Sequence, residues 1–187
     1  MKRQAILAAC VYFAADVIIA MLTNTRGRVA QLDIKQFVNT TRQIWTYITT
    51  SSALVTCEVD RMRSMHRLSI SFRRTFVYNG TRMDMQMRGV FDRLCKQRMT
   101  LFGRRTYELL CVENIIHIAR DHSCAVFRIE SLRDGSNIRY DLRVKNSSID
   151  RRPHPDCRYY LYRVMGPRTE HTIYTPDCQR VVSLRQG

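Results

Sequence analysis

One arginine stands within an otherwise apolar stripe of the sequence. Arg74 has the same parity as five apolar residues of one predicted strand: Leu68, Ile70, Phe72, Phe76 and Tyr78. Alternate side chains of a strand point to the same side of a sheet, so the guanidinium is expected on the apolar face. A buried charge must be paired or must contact a charged ligand. Arg74 therefore predicts either an internal ion pair or a binding site for an anion.

Arginine also dominates the overall charge. Lys+Arg 31 against Asp+Glu 16 gives a formal net charge of +15, and only four of the 31 basic residues are lysines. Guanidinium groups bind carboxylate, phosphate and sulfate well. The arginines predict one of two things. They form either a solvated basic surface or a binding surface for an anionic partner, which would be heparan sulfate, an anionic lipid or a host protein. They match no named nucleic-acid-binding module, so we predict no nucleic-acid partner.

Cysteine usage and the N-terminus indicate an extracellular protein. Residues 1–22 begin with Lys2 and Arg3 and continue as a mostly apolar run, which is typical of a signal peptide and too short for a membrane span. A single domain is predicted over residues 23–187. Beyond Cys10 in the leader, six cysteines remain, which predicts three disulfides in a secreted chain: Cys57, Cys95, Cys111, Cys124, Cys157 and Cys178. Asn39, Asn79 and Asn146 each begin an N-glycosylation sequon.

Short alternating segments fill the middle of the chain. From Ile44 to Lys145 about eight of them follow one another, each half apolar, which predicts an all-β closed barrel or sandwich. A short helical stretch over Leu32–Val38 precedes them. Pro155 and Gly166 bound a predicted C-terminal helix. One strand carries Met83, Met85 and Met87 on a single face, either as plain core or as an adaptable lining for a lipid.

One hairpin can be assigned a register by arithmetic. Cys95 and Cys111 are each eight residues from Gly103, a turn candidate. Pairing about this turn places Met99 opposite Tyr107 and the two cysteines opposite each other. Directly opposed Cβ atoms are about 4.5–5.5 Å apart, slightly more than a disulfide needs. We therefore predict a Cys95–Cys111 disulfide, with free or differently paired cysteines as the alternative.

Several sequence segments together resemble one family. Gln43-Ile44-Trp45 is similar to a lipocalin Gly-x-Trp motif that lacks its glycine, which makes Trp45 a candidate site residue. Cys124-Ala125-Val126, fourteen residues, Asp141-Leu142-Arg143, thirteen residues and Cys157 are similar to an amine-binding signature. The chain from about Leu32 to Cys178 resembles the tick salivary lipocalins of the histamine-binding group.

The resemblance implies a fold and two disulfides. The fold is an eight-stranded antiparallel lipocalin barrel with a short N-terminal helix and one C-terminal α-helix packed outside. The disulfides are Cys124–Cys157 and Cys57–Cys178, which leaves the predicted Cys95–Cys111 as the third. The resemblance further implies that the protein is secreted and monomeric and has no cofactor or metal. Its implied function is to sequester a small host mediator. Biogenic amines such as histamine or serotonin and lipids such as eicosanoids or fatty acids are the candidate ligands.

The ligand class depends on the side chains that face the lumen. By the resemblance, Asp141 replaces the glutamate of the signature, and Glu108 offers a second carboxylate for an amine. Ala125 and Arg143 stand where the signature has an acid and an aromatic residue, which weakens an amine site. If Asp141 faces the lumen, Arg139 and Arg143 do so as well.

These arginines favour an anionic amphipathic ligand. Its carboxylate would contact Arg74, Arg139 or Arg143, and its tail would contact Phe72, Phe76, Tyr107 and the three methionines. The alternative is that Asp141 and Glu108 pair the arginines inside the barrel. The opposite orientation, with the apolar residues of the last strand inside, also stays open at this point. No enzyme motif is present in the sequence, so we predict a binding protein and not an enzyme.

Overall fold

The computed structural model describes residues 32–52, 54–104, 106–132 and 137–183. The predicted signal peptide therefore lies outside the described residues. Within the described ranges, no helix is long and apolar enough to cross a membrane. The elements are, in chain order, α1 (Ile34–Val38), β1 (Ile44–Thr49), β2 (Val55–Met65), β3 (Ser69–Tyr78), β4 (Thr81–Phe91), β5 (Arg98–Gly103), β6 (Leu109–Ile118), β7 (Cys124–Ser131), β8 (Ile138–Lys145), a 3₁₀ turn (Asn146–Ser148), α2 (Pro155–Met165), β9 (His171–Thr172) and α3 (Asp177–Ser183).

Eight antiparallel strands form a closed barrel. Each of β2 to β7 pairs with the next strand along the chain, and β1 pairs with both β8 and β2. Closure satisfies the backbone groups that an open sheet would leave exposed at its edges. The predicted all-β fold and the eight-stranded antiparallel barrel are confirmed. The short β9, which pairs with β1, adds a ninth strand to the sheet.

A short helix closes one end of the barrel. Asp33 begins α1, and its side chain accepts a hydrogen bond from the backbone N–H of Gln36 at 3.1 Å, which satisfies one free donor of the first turn. Phe37 is buried and makes an edge contact with Phe127 of β7, with 5.8 Å between ring centroids. We call the opposite end, where β1 ends at Thr49, the mouth.

The C-terminal segment packs on the outside of the barrel wall. Pro155 occupies the first turn of α2, where its missing N–H costs nothing, and Gly166 ends the helix with a φ of 60°. The buried Leu161 of α2 belongs to the same apolar cluster as Leu142 and Val144 of β8. The predicted helix is confirmed, and the structure adds a further short helix, α3, after it.

Two disulfides attach this segment to the barrel. Cys124–Cys157 joins the start of β7 to α2, and Cys57–Cys178 joins β2 to α3 across 121 residues of sequence. Both pairings implied by the resemblance are present. Loop-closure arguments assign about 3–5 kcal/mol to each, with more for the longer loop.

The third disulfide prediction was wrong because the β5–β6 register was wrong. The connection between these strands is longer than a three-residue turn, so Met99 lies opposite Glu113 and Leu101 lies opposite Cys111. Cys111 is therefore about three strand positions, roughly 10 Å, from the start of β5, and Cys95 precedes that start. A disulfide requires Cα atoms within about 7 Å. Cys95 and Cys111 are both free thiols.

Candidate functional site

Three of the four buried charged side chains in the described residues meet directly within the barrel. Glu113 of β6, Arg74 of β3 and Arg143 of β8 have exposed fractions of 0%, 6% and 2%. They form ion pairs with one another across the lumen, so β8 points its charged residues inward. Its apolar residues Leu142 and Val144 face outward under α2. The orientation that the sequence left open is thus the one with Asp141, Arg139 and Arg143 inside.

Glu113 joins the two buried guanidinium groups. Arg143 donates to both carboxylate oxygens of Glu113, Nη1 to Oε2 and Nη2 to Oε1, each at 2.7 Å. Arg74 donates from Nη2 to Oε1 at 3.2 Å. The fork-to-carboxylate geometry satisfies most of the polar atoms of a pair that is inaccessible to water. The Arg143 guanidinium also lies 4.4 Å from the centroid of Phe127.

Asp60 and Asp141 extend this arrangement on either side. Asp60 of β2 accepts two hydrogen bonds from Arg74, both at 2.8 Å. Asp141 accepts from Arg143 at 3.3 Å and from the Thr49 hydroxyl at 2.7 Å. Arg139 Nε lies 3.4 Å from Asp141 Oδ1, and its side chain is 30% exposed towards the mouth. Each of the three arginines proposed from the sequence therefore has a carboxylate partner.

Glu58 completes the set, which we call the internal charge cluster. It comprises four acids and three arginines: Glu58, Asp60, Glu113 and Asp141 with Arg74, Arg139 and Arg143. Glu58 accepts a hydrogen bond from the Thr46 hydroxyl at 2.7 Å, and the three arginines act on it at longer range. Four carboxylates against three guanidinium groups leave one negative charge in excess when all are ionised.

The carboxyl groups of the cluster have different proton affinities. Burial favours the neutral form of Glu113, but attraction from Arg143 and Arg74 outweighs it and lowers the pKa to about 2. The pKa of Glu58 is lowered in the same way, by the three arginines and the Thr46 hydrogen bond against the effect of burial. Burial instead prevails at Asp60 and raises its pKa, despite Arg74. Asp60 therefore accepts a proton more readily than Glu113 does.

A β-bulge places an aromatic ring beside Glu58. The β2–β3 register passes from Thr56 opposite Val77 to Val59 opposite Thr75, so Cys57 and Glu58 both face Phe76. Cys57 has a φ of 55°, which accommodates the extra residue. Phe76 is only partly buried, as expected for a position close to the mouth. A carboxylate next to an accessible aromatic ring is a pairing that favours organic cations.

The α1 side of the charge cluster is nearly full. A cavity of about 20 Å³ is lined by apolar side chains, among them Phe37, Met99 and Phe127, together with Asp60 and Arg143. This volume is close to the space that one water molecule requires. The apolar residues of α1, β5 and β7 occupy the region where the tail of a lipid would have to lie.

Several residues predicted from the sequence lie away from this interior. Glu108 and Tyr107 are exposed in the β5–β6 connection, with Tyr107 at 72%, because the strand begins only at Leu109. Met83 and Met85 are also exposed, whereas Met87 is buried in the core together with Phe72.

Trp45 is buried on the outer side of the barrel wall. Its indole N–H donates to Asn146 Oδ1 at 2.7 Å, and its ring makes an edge contact with Tyr174. Because Trp45 packs in the cluster beneath the C-terminal segment, it does not line the lumen, contrary to its sequence-based assignment. The other two sequon asparagines, Asn39 and Asn79, are exposed, at the end of α1 and in the β3–β4 turn.

Sequence reasoning missed three acids of the cluster: Glu58, Asp60 and Glu113. On the opposite face of β2, Cys57 and Val59 pack outward in the cluster beneath the C-terminal segment. Glu113 shares its parity with Cys111 and Ile115, both buried in the core. An acid on an apolar stripe is the same signal that identified Arg74, and it could have identified Glu113.

Comparisons with solved structures identify the architecture. No family model matches the sequence, and no curated protein matches it significantly. The protein AM182, in its serotonin complex, superposes with a TM-score of 0.62 at 19% identity over 80% of this chain and 94% of that chain. The siderocalin Ex-FABP superposes with a TM-score of 0.55 at 7% identity, over 72% of this chain and 93% of that chain. The chain has the lipocalin fold. At these identities the likeness concerns the fold of this lipocalin barrel and not its ligand.

Proposed function

We propose that this lipocalin-fold protein binds a small organic cation, such as a biogenic amine, at the mouth side of its internal charge cluster. The observation that supports the proposal is the composition of the cluster, in which four carboxylates surround three guanidinium groups. An ammonium group would balance the excess negative charge without leaving any buried group unpaired.

Glu58 is the proposed anchor of the ammonium group. Asp60, Glu113 and Asp141 already form ion pairs with arginines, whereas Glu58 has a hydroxyl as its close partner. Phe76 lies opposite Glu58 across the bulge, and its ring is the proposed aromatic partner of the cation. A charge-assisted contact of this kind typically contributes about 1.5–3 kcal/mol.

The anionic lipid favoured by the sequence has less support. A fatty-acid carboxylate would have to displace a carboxylate that already pairs with Arg74, Arg139 or Arg143. Its tail would need more room than the cavity of about 20 Å³ on the α1 side. An amine at the mouth meets neither obstacle, and AM182, which shares the fold, is a serotonin complex.

We also infer secretion and sequestration of a host mediator, as in the tick histamine-binding lipocalins, and a role as a binding protein and not an enzyme. The resemblance in sequence, the signal-peptide pattern and the two disulfides support this part of the proposal.

Isothermal titration calorimetry with serotonin, histamine and oleate tests the proposed ligand class. The informative variant is Glu58→Gln, which removes the charge and keeps an oxygen for the Thr46 hydroxyl. Glu130→Gln, at a partly buried acid on the outer face of β7, is the matched control. We expect an amine to bind, Glu58→Gln to weaken it about 10- to 100-fold, and the control to bind within twofold of the parent. Tighter binding of oleate than of either amine, or unchanged amine binding by Glu58→Gln, would refute the proposal.

A further inference from the structure

A basic cleft lies outside the barrel at its α1 end. It has a volume of about 440 Å³ and is formed by α1, the β2–β3 turn and the β4–β5 turn. Four cationic residues line it, Lys35, Arg67, Arg93 and Lys96, around the apolar side chains of Leu68 and Phe91. The volume falls within the range of small-ligand sites. This cleft is separate from the lumen and from the internal charge cluster.

The two acids of the cleft are engaged in local backbone structure. Asp33 accepts from the N–H of Gln36 as the cap of α1. Asp92 accepts from the N–H groups of Leu94 and Cys95 at 2.8 and 3.0 Å. These carboxylates stay charged while they stabilise a helix start and a turn, so four cationic residues against two acids leave the lining with a formal net charge of +2. The site therefore favours an anion.

Tertiary contacts hold the walls of the cleft together. Lys35 Nζ donates to the carbonyl of Arg67 at 2.9 Å and lies 5.9 Å from the centroid of Phe91. The N–H of Ile34 donates to the carbonyl of Lys96 at 3.0 Å. The three segments are thus connected before any ligand arrives, which lowers the entropic cost of binding.

Further arginines continue from the cleft onto the outer face of the barrel. Arg61 of β2 lies directly opposite Arg73 of β3. Arg88 of β4 lies opposite Ser71, which is two residues from Arg73 on the same face of β3. These residues alternate with inward-facing ones such as Asp60 and Arg74, so they lie on the outer face, where Arg61 and Arg88 are exposed and Arg73 pairs with Asp84 at 3.7 Å. Exposed guanidinium groups on one face suit an extended anion.

We propose that a sulfated polysaccharide binds here, with one sulfated sugar in the cleft and the chain continuing over the outer face of β2–β4. The guanidinium groups would contact sulfates, and the partly buried Leu68 would contact the non-polar side of a sugar ring. A concave site suits a sugar chain better than a flat membrane surface. This partner would account for the basic surface residues whose binding partner the sequence left open.

Binding of a fluorescent heparin hexasaccharide, measured by anisotropy at several salt concentrations, tests this proposal. Arg67→Ser/Arg93→Ser removes two charges from the cleft. Arg151→Ser/Arg152→Ser removes the same charge from exposed positions between β8 and α2. We expect the cleft variant to lose about tenfold or more in affinity and the control less than threefold. The slope of log affinity against log salt should fall by about one to two units in the cleft variant.

Three results would overturn the proposal. Equal losses in the cleft and control variants would mean that net charge alone governs binding. Undiminished binding of a fully desulfated hexasaccharide would remove the role of sulfate. Binding to vesicles of one part phosphatidylserine and four parts phosphatidylcholine that exceeds hexasaccharide binding, and is lost in the cleft variant, would assign the surface to membranes. Amine titration of the cleft variant should match the parent protein, which separates this site from the lumen.

Discussion

Replacing Glu113 with glutamine should remove the central acceptor of the internal charge cluster. Glu113 accepts both short hydrogen bonds from Arg143 and one from Arg74, and it is completely buried. The Glu113→Gln side chain has nearly the same shape but leaves two enclosed guanidinium groups short of one negative charge. Breaking a buried ion pair by neutralising one partner typically costs about 3–5 kcal/mol.

The pKa of Glu113 supplies an independent magnitude. A pKa of about 2 in the folded protein, against 4.5 for an unperturbed glutamate, is a difference of about 2.5 units, which corresponds to about 3 kcal/mol. Because the folded-state pKa is the lower one, this stabilisation is complete above pH 4.5 and is lost as the pH falls towards 2. The Glu113→Gln variant lacks this stabilisation at every pH. The difference in free energy of unfolding between the two proteins should therefore shrink as the pH falls.

Urea unfolding followed by circular dichroism at pH 7, 5 and 3 measures this difference. At pH 7 we expect Glu113→Gln to reduce the free energy of unfolding by about 3 kcal/mol and the melting temperature by roughly 6–12 °C. Asp60→Asn is the matched control in the same cluster. Because burial raises the pKa of Asp60, neutralising it should cost clearly less than neutralising Glu113.

Three outcomes would refute this reasoning. A Glu113→Gln protein as stable as the parent at pH 7 would mean that the arginines do not depend on this carboxylate. A loss that is the same at pH 7 and pH 3 would mean that packing, and not charge, is responsible. A larger effect of Asp60→Asn than of Glu113→Gln would reverse the order of the two acids derived from their environments.

Three smaller predictions concern other parts of the molecule. Native alkylation followed by peptide mass spectrometry should label Cys95 and spare Cys111, because burial raises the pKa of the Cys111 thiol to about 12. Gly89→Ala should lower the free energy of unfolding by about 1–3 kcal/mol in thermal melts, because its Cβ would collide with the Met99 sulfur. Glycopeptide mapping should find Asn146 unmodified, because a glycan on its Nδ2 would disturb the hydrogen bonds that Trp45 and Gln179 donate to Oδ1 of the same amide. Rapid native labelling of Cys111, an unchanged melt or a glycan on Asn146 would contradict the respective prediction.

The sequence determined most of the architecture. Period-two alternation between Ile44 and Lys145 is a local property of each strand, so it can be recognised without knowing which strands pair. The bounds of α2 follow from Pro155 and Gly166, whose backbone preferences are intrinsic. Arg74 also could be assigned to the interior, because its apolar stripe leaves a guanidinium no solvent-facing position.

Tertiary structure decided the register, the inner face and the pairing of the internal arginines. The β5–β6 register depends on how many residues the connection uses, and that number shifted Cys111 away from Cys95. Parts of the outer faces of β2 and β8 are buried under the C-terminal segment, as their inner faces are in the lumen, so alternation alone could not say which face is internal. Whether Arg143 is available to an anion or already has a partner depends on Glu113. Glu113 lies thirty residues earlier in the chain, and its Oε2 is 2.7 Å from Arg143 Nη1. Ion pairing of this kind is a contact between distant segments, and only the closed barrel brings them together.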